Sequence, residues 1–265
     1  MSAPVPPDPW ARLRALTPAR IALGRSGSSL PTREVLAFAL DHARARDAVH
    51  TPFDAALVAG RIEALGLASV TVASAAADRA TYIRRPDLGR RLSAESQARL
   101  DLERGSGADL VVIVADGLSS AAVHAHAAPL LAALLPLAKA APWRLAPVVL
   151  ASQARVALGD EIGERLRARM AVVLIGERPG LSSPDSLGAY LTFAPRIGRT
   201  DAERNCISNI RPAGLSYDEA AFKIAWHVRE ALRLSLTGVA LKDESRYPGR
   251  TLGLAPDARP VENSG

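Results

Sequence analysis

Residues 110–120 read Leu110-Val-Val-Ile-Val-Ala-Asp-Gly-Leu-Ser-Ser120, and this stretch decides the fold class. Its first five side chains are apolar with no polar alternation, as in a strand buried on both faces. Asp116-Gly117 stops the run, and an Ala/Leu-rich helical stretch follows from about Ser119. The pattern recurs downstream. Pro147-Val-Val-Leu150 precedes a polar turn at residues 152–155 and a predicted helix near residues 159–169. Ala171-Val-Val-Leu-Ile175 is closed by Gly176-Glu-Arg-Pro-Gly180, and residues 187–193 form a fourth, less strongly patterned run. Apolar runs alternating with helices indicate buried parallel strands in an open α/β sheet. In such sheets ligands bind at the carboxyl ends of the strands. That rule selects Asp116-Gly117, residues 152–156 and residues 177–181 as the lining of a ligand crevice.

Upstream, the first 105 residues read as mainly helical. Thr32 is placed to cap a helix carrying Val35, Leu36, Phe38, Ala39 and Leu40, and residues 53–65 give a second helix ended by Gly66. Residues 70–73 suit a strand or an extended segment, Arg84-Arg85-Pro86-Asp87 is a breaker, and residues 90–103 are expected to be helical. Residues 217–236 form a closing helix with Asp218 and Glu219 in its first turn. The fold class is therefore α/β: an open, mostly parallel, Rossmann-like sheet flanked by helices, preceded by a mainly helical N-terminal region. The division expected is 1–105, 106–242, and a loose Pro/Gly-rich tail over 243–265.

The chain has 265 residues, 48% hydrophobic and only 4% aromatic, which is a globular composition. The apolar stretch 121–138 is interrupted by His124, His126, Pro129 and Pro136 and falls short of a bilayer span. The Pro-rich first nine residues have no apolar core of a signal peptide, so a cytoplasmic location is expected. A single cysteine excludes an internal disulfide framework and a multi-Cys zinc site. The net charge of +6 is carried almost entirely by arginine in the first 100 residues. That excess either reflects an Arg-favouring composition or faces an acidic partner. No basic stripe interleaved with aromatics is present, so nucleic-acid binding is not supported.

Most catalytic signatures are missing. Neither G-x-G-x-x-G nor a P-loop occurs, and there is no G-x-S-x-G elbow or H-E-x-x-H. Ser119 suits a helix N-cap better than a nucleophile. His124 and His126, two apart on a helix, point away from each other and suit surface or partner contacts. Glu177, at a strand end, either pairs with Arg178 or accepts hydrogen bonds from a ligand. Cys206 lies in the polar segment Arg204-Asn-Cys-Ile-Ser-Asn209 with no neighbouring base, so it is not an activated nucleophile.

Five segments then carry a resemblance. They are Asp78-Arg-Ala-Thr-Tyr-Ile-Arg-Arg-Pro-Asp-Leu-Gly-Arg-Arg-Leu92, Val114-Ala-Asp-Gly-Leu-Ser119, Gly159-Asp-Glu-Ile-Gly163, Leu174-Ile-Gly-Glu-Arg-Pro-Gly-Leu-Ser-Ser183 and Asn205-Cys-Ile-Ser-Asn-Ile210. In this order, across roughly residues 12–240, the sequence resembles the small (light) subunit of ethanolamine ammonia-lyase. That family implies an adenosylcobalamin-dependent enzyme converting ethanolamine to acetaldehyde and ammonia. The small subunit would not act alone. It docks on a barrel-shaped large subunit, six of each in the family, and the cobalamin is trapped between them.

The resemblance assigns large-subunit docking to residues 1–105 and cobalamin covering to residues 106–242. It carries cofactor contacts onto Val156, Glu177 and Cys206, with no metal ligand in this chain. Glu177 would accept N–H bonds from the corrin amide rim, Val156 would line the ring edge, and Cys206 would be a contact rather than a nucleophile. No D-x-H-x-x-G segment is present, so a base-on cofactor is expected. Family members associated with bacterial microcompartments tend to have a longer N-terminal extension, which argues against encapsulation here. The competing reading is a non-catalytic α/β binding or assembly protein that keeps only the fold.

Overall fold

The computed structural model describes residues 10–248 except 18, 104 and 106. Six strands form one sheet: β1 (Ser69–Ala73), β2 (Ala108–Ala115), β3 (Val148–Ser152), β4 (Ala168–Gly176), β5 (Leu187–Phe193) and β6 (Arg204–Ile210). Their order is β1-β3-β2-β4-β5-β6. The first four are mutually parallel, whereas β5 runs antiparallel to β4 and β6 antiparallel to β5. The helices are α1 (Thr32–His50), α2 (Ala55–Glu63), α3 (Arg79–Arg84), α4 (Ala94–Leu102), α5 (Ser120–Ala140), α6 (Leu158–Arg165) and α7 (Tyr217–Leu234).

Alternation along the strands divides the core in two. Leu110, Val112 and Val114 of β2 face a cluster with α2, α5 and α7. Val111, Ile113 and Ala115 face the other cluster, built with Leu100 of α4 and Leu158 and Ile162 of α6. Both faces of the parallel half are thus covered, which is why its strands read as unbroken apolar runs. By length and composition α5 could cross a membrane. In the fold it is a core helix, with Leu130, Leu131 and Leu134 buried against the sheet.

The antiparallel half differs. Leu187, Ala189 and Leu191 of β5 and Ile207 and Ile210 of β6 enter the α5/α7 cluster. On the opposite face, Tyr190 pairs directly across from Cys206, which is exposed. No helix covers that pair. Farther along this face, Thr192 lies opposite Arg204, and Arg204 makes a bidentate pair with Asp160 of α6 at 2.6 and 2.7 Å. Both partners are buried, so the pair ties the far edge of the sheet to a helix on its second face.

Several local expectations need correction. The run at residues 187–193 is a strand, but it returns through a loop rather than a helix and is therefore antiparallel. The polar segment around Cys206 is itself a strand, since one of its faces is exposed and the other is buried. Thr32 is the first residue of α1, with Pro31 in the cap position and no side-chain cap. Residues 90–103 are helical only from Ala94, because the Ser93 hydroxyl accepts from the Ser96 amide. His126 is buried, its Nδ1 2.8 Å from the Tyr217 hydroxyl. His124 Nε2 accepts from the Asp54 amide at 3.0 Å. Both histidines bond within their own chain, and His126 is buried rather than at the surface.

Other expectations hold. Ser119 caps α5, Gly66 takes φ +77° beyond α2, and α3 stops at Arg84 before Pro86. In the stretch after Lys242, residues 243–248 have no regular structure, though Asp243 pairs with Lys223 at 2.8 Å. The remainder of the tail, and the Pro-rich first nine residues, lie outside the described residues.

Removing one member of a buried, hydrogen-bonded ion pair strands the other charge. Asp160→Ala is expected to destabilise the chain by about 3–5 kcal/mol in urea unfolding. A loss below about 1 kcal/mol would mean that Arg204 finds another partner at little cost.

Candidate functional site

The carboxyl ends of β2, β3 and β4 meet β5 at a cleft of about 460 Å³. Its floor is set by a backbone crossing. A Cβ on Gly117, at φ +56°, would lie 2.2 Å from the Gly176 carbonyl oxygen. A Cβ on Gly176 would lie 2.1 Å from the Ser119 oxygen. Neither position admits a side chain, so the loops after β2 and β4 touch main chain to main chain. Asp116 is buried below the crossing rather than lining it. Its carboxylate accepts from the Gln153 and Ala154 amides, each at 2.9 Å, and so locks the turn after β3.

The 78–92 segment supports that same turn. Asp78 caps α3, and Tyr82 is buried with its hydroxyl donating to the Ala154 carbonyl at 3.2 Å. The Arg155 guanidinium stacks 4.2 Å from the Tyr82 ring centroid and donates from Nη2 to the Tyr82 carbonyl at 3.0 Å. Arg79 lies 4.8 Å from the same ring and donates to the Gly117 carbonyl at 2.7 Å. Gly89 makes room, since a Cβ there would meet the Arg155 side chain at 2.9 Å. Burial pushes the Tyr82 hydroxyl up to about 12, with Arg155 opposing and Asp116 adding to the rise.

Of the residues carried over by resemblance, Val156 and Glu177 both line this cleft. Cys206 stands one strand away, opposite the cleft-lining Tyr190. Glu177 makes no ion pair with Arg178. Its Oε2 accepts from the Asn209 amide at 3.2 Å, and its Oε1 takes no hydrogen bond from the described residues. Gly188 is needed beside it, because a Cβ there would approach Oε1 to 3.0 Å. Of the crevice predicted from the strand ends, Gly117, residues 155–156 and residues 177–178 line the cleft, and residues 152–154 and 179–181 do not.

Two lining residues, Tyr82 and Tyr190, lie outside the stretches that the strand-end rule selects. Arg155 was within the predicted turn, but its role depends on Tyr82, 73 positions away. Arg155 has no carboxylate partner among the described residues, and its buried Nε finds no acceptor. Leaving such a donor unpaired costs about 1–3 kcal/mol.

What the fold and the cleft define is an α/β protein with an open cleft at the carboxyl ends of its parallel strands. Residues 7–242 match the family described as "Ethanolamine ammonia-lyase light chain (EutC)". The chain belongs to that family. A relative from Bradyrhizobium diazoefficiens, "Ethanolamine ammonia-lyase small subunit", is 62% identical over 254 residues, covering 94% of this chain and 97% of its own. Relatives of the same name from Xanthomonas campestris pv. campestris and Azotobacter vinelandii are 58% identical (98% of this chain, 97% of theirs) and 59% identical (92% and 91%).

The Cys206 thiol is raised above its usual range. Although the residue is exposed at the strand, partial desolvation of its thiol by the surrounding protein is the main cause and the Glu177 charge adds to it, while a hydrogen bond with Tyr190 opposes. A raised value leaves less thiolate, the reactive form, near neutral pH. Iodoacetamide should therefore modify Cys206 more slowly in the folded chain than in urea. Glu177→Gln should speed the folded reaction and Tyr190→Phe should slow it. A pH series of alkylation rates would refute this account if the two variants moved in the opposite senses.

Proposed function

We propose that this chain is the small subunit of an adenosylcobalamin-dependent ethanolamine ammonia-lyase, and that it completes a cobalamin site at the interface with a large catalytic subunit. The observation that carries the reading is the one-sided cleft ringed by Val156, Glu177 and Tyr190. A corrin is larger than this cleft, so the chain covers one edge of the ring and leaves the rest to a partner. The donor set suits that edge. Glu177 Oε1 is an acceptor with no donor among the described residues, suited to the N–H groups of the amide rim. Val156 offers apolar contact, and Cys206 a small polarisable group beside Tyr190.

When bound, adenosylcobalamin supplies the radical chemistry. This chain binds and orients it: the glycine crossing fixes the floor, and Asp116 holds the Val156 turn. The α1 helix supports a docking role for the N-terminal region, since Val35, Leu36, Phe38 and Leu40 are exposed on it. The relatives' name, a small subunit, fits a larger partner for such a face.

Mixing the chain with its large subunit and adenosylcobalamin should restore acetaldehyde formation from ethanolamine. Full activity from the large subunit without this chain would refute the proposal and favour a protein that keeps only the fold. Glu177→Ala should raise the apparent cofactor constant, by about 1–3 kcal/mol in free energy, more than the substrate constant. An unchanged cofactor constant would remove Glu177 from the site.

A further inference from the structure

The cleft does not end at Val156. A second compartment of about 480 Å³ shares Arg155, Val156 and Tyr190 with it and continues toward Arg90, Arg199 and Arg204. Its charges are not equivalent. Arg204 is neutralised by Asp160, with Asp201 3.4 Å from its Nε, and Arg199 pairs with Glu203. Arg155 and Arg90 have no carboxylate within ion-pairing distance among the described residues. Arg155 is moreover held in place by the Tyr82 ring and carbonyl, with its buried Nε unpaired. Asp201 also lines the second compartment, on the Arg204 side, and the Arg155 guanidinium at the join, with no carboxylate within ion-pairing distance among the described residues, suits an anion.

We propose that this second compartment takes the phosphodiester of the cofactor's nucleotide loop, with Arg155 as its principal partner and Arg90 as a second cation. The inference rests on the cobalamin reading above and adds a polarity to it. The amide rim of a cobalamin is neutral, and the phosphodiester is its one peripheral anion. The corrin edge therefore lies at Glu177, which accepts from amides and would repel a phosphate. The nucleotide loop lies beyond Val156, at the arginines. Val156 and Tyr190 border both compartments and stand at the division between ring and loop.

The test is a double cycle on ligand and protein. Affinities of the complete two-subunit complex are measured by equilibrium dialysis for cyanocobalamin and for dicyanocobinamide, which lacks the phosphodiester and nucleotide. R155M should weaken cyanocobalamin binding by about tenfold or more, as expected for a lost charge-assisted contact, and leave cobinamide within about twofold. The retained cobinamide affinity shows in the same experiment that the variant is folded and assembled. Equal weakening for both ligands, or no weakening for either, overturns the proposal. Should R155M fail to assemble, R90M carries the test, because Arg90 is exposed and its side chain makes no hydrogen bond or ion pair among the described residues. It should weaken cyanocobalamin alone by about threefold or more, and no selective effect overturns the proposal. Failure of the wild-type complex to bind either corrinoid is a different result, which refutes the cofactor reading itself.

Discussion

The contact on which the site depends is the crossing of two glycines, Gly117 after β2 and Gly176 at the end of β4. Each sits where a Cβ would fall within about 2 Å of a carbonyl oxygen on the other loop. Substitution at either must drive the loops apart, because the obstacle is main chain and cannot rotate away. Everything around the cleft is referred to that crossing. Leu118 donates its amide to the Gly176 carbonyl at 2.9 Å, Asp116 reaches from just before Gly117 to the turn carrying Val156, and Glu177 follows Gly176 directly. The site is therefore assembled from the ends of consecutive strands with little freedom in their spacing.

How much of this was legible in the sequence follows from burial. β2, β3 and β4 could be read because helices cover both their faces, which forces continuous apolar runs. β6 was missed because only one of its faces is covered. Its buried Ile207 and Ile210 are separated by exposed Ser208 and Asn209, so neither period is sustained. The direction of β5 follows from a loop, and the apolar pattern of a strand does not encode direction. The cleft was legible where it followed from strand ends and illegible where it came from distant segments. Nothing local to Tyr82 announces that it will carry Arg155, and nothing local to Tyr190 announces Cys206 beside it. The exposed apolar residues of α1 show the same limit from the other side, since a helical stripe gives no sign of whether its cover lies in the same chain.

The open face and the covered faces also divide the labour of the molecule. Where α4, α5, α6 and α7 lie on the sheet, side chains are tightly packed and the few buried charges are paired, as in Arg204–Asp160. Around the cleft lie Glu177 Oε1, which takes no hydrogen bond from the described residues, and the Arg155 guanidinium, which has no carboxylate partner among them. The arginine-rich character of the N-terminal half acquires a partial use in the same terms, since Arg79 is spent inside on the Tyr82 buttress and Arg90 remains at the second compartment.

Glu177 shows how rigidity and recognition are joined in one residue. Its backbone amide donates to the Ser186 carbonyl at 3.0 Å, and its Oε2 is held by the Asn209 amide, where the chain turns through φ +58°. The side chain is thereby fixed between β4 and β6, with Gly188 leaving room for it. One oxygen is used to hold the other in place. An acceptor held in this way loses little further rotamer freedom when a donor arrives, so most of the hydrogen-bond energy is available for binding. A freely rotating glutamate at the surface would forfeit part of it to ordering. The geometry around Glu177 therefore accounts for its place in the site better than its charge does, and it requires β6, the one strand whose sequence pattern was too polar to announce itself.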